Sequence, residues 1–387
     1  MSERLSGGGL GPVMCVVGAR PNFMKMAPIL RALADHVPPI PSLLVHTGQH
    51  YDQDMSGRLF TDLGLPRPDM NLDVGSGSHA AQTAEVMRRF EPALDTHRPS
   101  CVVVVGDVNS TLACTLVAVK KGVPVAHVEA GLRSYDRKMP EEINRVVTDQ
   151  LADRLYTTER TAEDNLRREG VPAERVIFCG NVMIDSLLAH RKHARRATDT
   201  LCAHAIDPAV LDHPKGYGVV TLHRPSNVDE PDTLRALLGA LGEVSAELPL
   251  IFALHPRTRD NIERFGLGRL VDPARMLMLP PQGYLEMLGL MSGATLVLTD
   301  SGGLQEETTA LGVPCLTLRA NTERPVTVEQ GTNTLVGANR ETILKEATDI
   351  LQGRGKRGRI PELWDGHAAE RIAADLWQWL RQPSPLA

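Results

Sequence analysis

Cys101-Val102-Val103-Val104-Val105 sets five apolar residues in a row, four of them β-branched, with no polar residue between them. A strand of that pattern is buried on both faces, which restricts it to a parallel sheet covered by helices on each side. Gly106-Asp107-Val108-Asn109-Ser110 then breaks the run as a polar turn, and a helix is predicted over 111–121. The same order recurs along the chain. Short apolar runs at 13–17, 43–47, 124–128, 156–158 and 176–179 are followed by a second series at 218–222, 250–254, 276–279, 296–298 and 315–318. Strand and helix alternate throughout both series, which predicts an α/β chain of two doubly wound Rossmann-like domains facing a cleft. A length of 387 residues exceeds what one core normally organises. The expected division is an N-terminal domain over 12–186, a connection over 187–215 where the apolar pattern weakens, a C-terminal domain over 216–366, and a closing amphipathic helix over 367–382 that packs back on the N-terminal domain.

Composition narrows the partners. The 42 basic and 47 acidic side chains give a net charge of -5, without the basic excess that nucleic acid or an anionic membrane selects. No apolar run approaches the roughly 20 residues of a membrane span, and a signal-peptide pattern is not seen. Six cysteines without a CxxC pair read as buried thiols of a reducing cytosol, so a cytoplasmic protein is expected. The tail over 1–11 is glycine-rich but precedes the first strand, so it is not read as a nucleotide loop. The segment 70–80 reads as a polar surface loop, and helices are predicted over 54–63 and 82–95.

Candidate chemistry gathers at the ends of strands. After the run at 296–298 come Thr299-Asp300-Ser301-Gly302-Gly303 and a helix on which Leu304, Glu307, Thr308 and Leu311 share a face. Two glycines opening a helix can seat a phosphate, and an acid one turn in can accept from a ribose diol; the alternative is an ordinary serine-capped turn. Gly18-Ala19-Arg20-Pro21 is a second such turn, where Arg20 and Lys25 are either an anion seat or two solvated cations. Asp107, Glu129 and Glu141 crowd acids towards one sheet edge, although each alone could serve as a cap or an ion-pair partner. His223 and His255 also end strands, and Arg224 beside His223 suits a diphosphate. The spacings of His46, His50, His190 and His193 bring no second ligand cluster, so no metal is expected.

Seven collinear segments carry a resemblance: Gly18-Ala19-Arg20-Pro21-Asn22, Thr47-Gly48-Gln49-His50, Gly106-Asp107, His127-Val128-Glu129-Ala130-Gly131-Leu132-Arg133, Pro140-Glu141-Glu142-Ile143-Asn144-Arg145, Thr299 through Glu307, and Thr322-Glu323-Arg324-Pro325. Together they resemble the non-hydrolysing UDP-N-acetylglucosamine 2-epimerases. The resemblance implies a GT-B-like fold, a homodimer, no cofactor, and interconversion of UDP-GlcNAc and UDP-ManNAc by elimination of UDP to 2-acetamidoglucal and its re-addition. It places Asp107, Glu129 and Glu141 in acid/base positions, with His223 assisting the diphosphate. Arg20, Lys25, Arg145, Arg224, Ser301, Gly302, Gly303, Glu307 and Arg324 fall in the UDP-sugar set, with Glu307 on the ribose. Gln49 and His255 match a regulatory second site, but Val74-Gly75-Ser76-Gly77-Ser78 lacks that site's arginine, and Asn22 stands where several members carry glutamate. A related sugar such as a UDP-diacetamido-glucuronic acid, and a GT-B glycosyltransferase needing an acceptor, are the competing readings.

Overall fold

A computed structural model describes residues 11–49 and 62–382; His50, Tyr51 and nearly all of the helix expected over 54–63 lie outside them. The chain divides into two compact units. Unit 1 comprises Met1–Ser186 with Glu362–Ala387, and unit 2 comprises Leu187–Pro361.

Unit 1 is built on a seven-stranded sheet in the order β3-β2-β1-β4-β5-β6-β7, with every pair parallel. Its strands are β1 (Val13–Val17), β2 (Ser42–His46), β3 (Met70–Asn71), β4 (Cys101–Val105), β5 (Val125–Ala130), β6 (Arg154–Thr157) and β7 (Val176–Phe178). All five residues of β4 are buried, as an uninterrupted apolar run requires. Val102 and Val104 pack with Phe90, Leu94, Ala113, Val117 and Leu166, each of the valine, leucine and phenylalanine side chains contributing about 1.5–3 kcal/mol through burial. β3 corrects the reading of 70–80 as loop alone: Met70 pairs with Val45 at the sheet edge. Two residues are too few to show any periodicity. The helix Ala368–Trp379 belongs to unit 1, where it buries Ile372 and Leu376 and packs on the helix Arg20–Asp35.

Unit 2 repeats the plan with six parallel strands in the order β10-β9-β8-β11-β12-β13. They are β8 (Gly218–Thr221), β9 (Leu250–Ala253), β10 (Met276–Leu279), β11 (Leu296–Thr299), β12 (Cys315–Thr317) and β13 (Asn333–Leu335). Within 187–215 a helix, Ala197–Ala203, buries Leu201 against Val219, Leu290 and Val297. Strand order reverses between β1 and β4 in one sheet and between β8 and β11 in the other, the positions where a doubly wound sheet opens a crevice beyond its carboxyl ends.

Candidate functional site

In unit 1 the crevice begins with a stapled turn. Asn22 accepts from the N–H groups of Gly18 and Ala19 at 3.1 and 3.0 Å, and its amide donates to Val105 O at 3.0 Å. The start of the Arg20–Asp35 helix is thereby tied to the end of β4. Gly18 has no room for a side chain, since a Cβ would lie 2.4 Å from Ser110 Oγ. Arg20 opens the helix half-buried, and one turn later Lys25 is buried and ion-paired with Glu129.

Gly106 is the pivot. It turns β4 with φ +66°, and a Cβ there would sit 3.1 Å from Lys25 Nζ, 3.3 Å from Glu129 Oε2 and 3.4 Å from Asn22 Nδ2. Asp107 follows and pairs with Arg145, whose Nη1 also reaches Glu142 Oε2 at 2.6 Å. Glu129 is the extra residue of a bulge, because Val128 pairs with Tyr156 while Ala130 pairs with the next residue, Thr157. Its φ of +71° is a left-handed conformation that costs a non-glycine residue on the order of 1–3 kcal/mol. Lys25–Glu129 and Asp107–Arg145 are thus two ion pairs, the first against Gly106 and the second starting at the next residue. Glu141 lies half-buried in the first turn of the helix Pro140–Leu151 that also carries Arg145. Its neighbour Glu142 has a different place: it accepts from Ser134 N, Ser134 Oγ and Tyr135 N at 3.0, 2.9 and 2.8 Å, fastening the preceding loop. Gln49 is buried in unit 1, where its Oε1 accepts from Ser110 N and Oγ at 3.1 and 2.6 Å.

In unit 2 a fully buried carboxylate organises the crevice. Asp300 lies 2.8 Å from His223 Nδ1 and accepts from His223 N, Arg224 N and Asn227 Nδ2 at 3.0, 2.9 and 3.2 Å. Burial alone would push Asp300 up, but the His223 bond and charge and the two backbone donors hold it below the usual carboxylate value. The bond to Nδ1 leaves Nε2 of the half-exposed His223 as the atom that can serve a ligand. His255 stacks at a tilt 5.9 Å away and caps the helix Pro256–Arg264 by accepting from Arg257 N; burial, and next the His223 charge, lower its pKa.

The helix Gly302–Leu311 starts after Ser301, whose hydroxyl makes no capping bond, so the serine-cap alternative is not the arrangement present. A Cβ on Gly302 would lie 2.5 Å from Glu323 Oε1, so this glycine admits the carboxylate beside the helix start, with Gly303 next along. Glu323 is surrounded by Arg319 at 2.8 Å, Arg324 at 3.0 Å and Arg224 at 3.8 Å, and Arg324 Nε also meets Glu306 at 2.9 Å. Although burial raises it, these guanidiniums bring Glu323 well below the carboxylate range. Three guanidiniums, Arg224, Arg319 and Arg324, thus gather beside a helix N-terminus, donors of the kind a diphosphate uses. Glu307 is buried, and after burial its charge is the main cause that pushes the Tyr284 phenol up. Among the described residues no cluster of three His, Cys, Asp or Glu side chains could hold a metal ion.

Asp300, Arg319 and Glu323 were given no role in the sequence, and Asn22 was noted only as standing where several members carry glutamate. Asn22 had a readable signal, an amide three residues past a turn opening a helix; Asp300 and Glu323 act on residues distant in the chain.

Acids stand at the reversal point of one doubly wound sheet, and a glycine-opened helix start with arginines beside it stands at that of the other. A family model described as UDP-N-acetylglucosamine 2-epimerase matches residues 34–376. The UDP-N-acetylglucosamine 2-epimerase of Methanocaldococcus jannaschii is 41% identical over 360 residues, covering 92% of this chain and 96% of that one. The UDP-2,3-diacetamido-2,3-dideoxy-D-glucuronate 2-epimerase of Pseudomonas aeruginosa is 41% identical over 364 residues, covering 93% and 98%. A crystal structure of the M. jannaschii UDP-GlcNAc 2-epimerase in complex with UDP-GlcNAc and UDP superposes with a TM-score of 0.83 at 40% identity, over 95% of this chain and 99% of that one. The chain therefore belongs to the UDP-N-acetylglucosamine 2-epimerase family; it is an isomerase with a GT-B-like fold.

Proposed function

We propose that the chain interconverts UDP-N-acetylglucosamine and UDP-N-acetylmannosamine. The observation that carries this reading is the clustering of Asp107 and Glu129 around Gly106, with Lys25 and Arg145 beside them. No carbonyl acidifies the C2 hydrogen of the sugar, so its loss needs a developing cation next door. One carboxylate of the set Asp107, Glu129 and Glu141 takes the C2 proton while the C1–O bond breaks and its electron pair leaves with UDP. The product is 2-acetamidoglucal. Re-addition of UDP to C1, with a proton delivered to the opposite face of C2, inverts that centre. His223, Arg224, Arg324 and the Ser301-Gly302-Gly303 helix start hold the diphosphate throughout, and Glu307 takes the ribose.

A second sugar is supported by one finding: the diacetamido-glucuronate relative is as similar as the UDP-GlcNAc relative, at 41%. UDP-diacetamido-glucuronic acid is therefore assayed beside UDP-GlcNAc. Two copies pair as a homodimer, for which Ile143 and Val147, exposed and apolar on the Pro140–Leu151 helix, supply a surface. The free cysteines suit a cytoplasmic enzyme.

Incubation with UDP-GlcNAc alone in D2O tests the reading. The expected result is UDP-ManNAc carrying deuterium at C2 without an acceptor. No exchange into either sugar excludes this substrate, and turnover only with an added acceptor marks a glycosyltransferase.

A further inference from the structure

Glu129 occupies a bulge in a left-handed conformation, and a closed set of buried side chains holds it there. His127, two residues earlier and fully buried, has Nδ1 2.7 Å from Asp149 Oδ1 and Nε2 2.8 Å from Gly106 O. Asp149, also fully buried, accepts from Gly131 N at 3.0 Å and pairs with Arg133 at 2.8 Å. Arg133 goes on to a two-pronged pair with Glu169 at 2.7 and 2.6 Å. One network therefore grips the residue before Asp107 and the second residue after Glu129.

The acceptors that face His127 are a peptide carbonyl and a carboxylate, neither of which has a hydrogen to give. Each ring nitrogen must donate, so the ring carries two protons and a positive charge. A neutral ring would leave a lone pair aimed at an acceptor inside the protein. Burial pushes Asp149 up, but the charge and hydrogen bond of His127, followed by Arg133, hold it below its ordinary value, so it remains the anion of the pair.

We propose that His127 and Asp149 form a buried imidazolium–carboxylate positioning pair that holds Asp107 and Glu129 at the spacing proton transfer at C2 requires. The pair acts through these two residues, and the proposal rests on the epimerase reading given above. A merely structural pair predicts lost stability and nothing specific to the chemical step.

Two measurements on the full chain test it. In protein labelled with 15N-histidine, the His127 signals are identified by their disappearance in His127→Gln. Because both acceptors need a donor, both of its nitrogens are expected to carry directly bonded protons. A single protonated nitrogen overturns the imidazolium. Asp149→Asn is expected to lower kcat for C2 deuterium exchange roughly a hundredfold, the scale of a slightly misplaced reacting group. The KM for the UDP-sugar and the affinity for UDP should stay within about twofold of wild type. Unchanged kcat, or kcat and UDP affinity falling together, overturns the positioning role. Wild-type protein that exchanges no deuterium defeats the epimerase reading instead, while the ring protons still decide the charge of His127.

Discussion

The Lys25–Glu129 pair allows a quantitative prediction. The two side chains are 7% and 4% exposed, so removing either partner leaves the other charge in a site water scarcely reaches. Breaking a buried pair from one side costs about 3–5 kcal/mol. Glu129→Gln keeps an oxygen for the ammonium and belongs near the lower end, at about 3 kcal/mol, while Lys25→Met leaves the carboxylate bare and belongs nearer about 4 kcal/mol. The double variant buries no unpaired charge, so its cost should fall short of the sum of the single costs by about 2–3 kcal/mol. A change of about 3 kcal/mol corresponds to roughly 6–12 °C in Tm for a unit of this size. The assay is urea unfolding of all four proteins, followed alongside by C2 deuterium exchange. Glu129→Gln should lose exchange yet still bind UDP. Additive stabilities would refute the pairing argument, and full exchange in Glu129→Gln would remove this carboxylate from the mechanism.

Three further outcomes are expected. Gly302→Ala drives a methyl against the buried Glu323 and Arg324 and should weaken UDP binding at least about tenfold by calorimetry, at a stability cost of about 1–3 kcal/mol. Asp300→Asn removes the acceptor of the His223 Nδ1 proton and should lower kcat on the order of a hundredfold, with the His223 ring signals moving to the other tautomer; unmoved ring signals would sever the link. Asp185 accepts from Ala368 N and Ala369 N, and its burial raises it from 3.8 to about 6. The folded chain therefore holds this proton more tightly than the unfolded one. Stability from this group is fully present below about pH 4 and declines by about 3 kcal/mol as pH rises through 6, a slope that Asp185→Asn should lack in urea titrations at several pH values.

The strands were legible because parallel sheets demand unbroken apolar runs, and β4 and β11 display them plainly. The positions of Asp107, His223 and Ser301 at strand ends follow from that alone. What escaped depends on contacts between distant segments. His127 reads as one polar residue in an apolar run until Asp149 is brought beneath it, and no periodicity announces that Glu129 is a bulge residue. The roles of Glu141 and Glu142 were separable only in space: adjacent on one helix, the second is consumed by Ser134, Tyr135 and Arg145.

The composition of unit 1 from two stretches of chain bears on synthesis. Tyr156 and Arg154 on β6 wait for Asp375, Thr158 for Trp364, and Asp185 for the amides of Ala368 and Ala369. All of these partners emerge from the ribosome only after Leu187–Pro361 has been made. The first half of the chain therefore has to pass through an interval with the docking face of its last helix uncovered. The second unit, encoded without interruption, can complete its own core before the first one does.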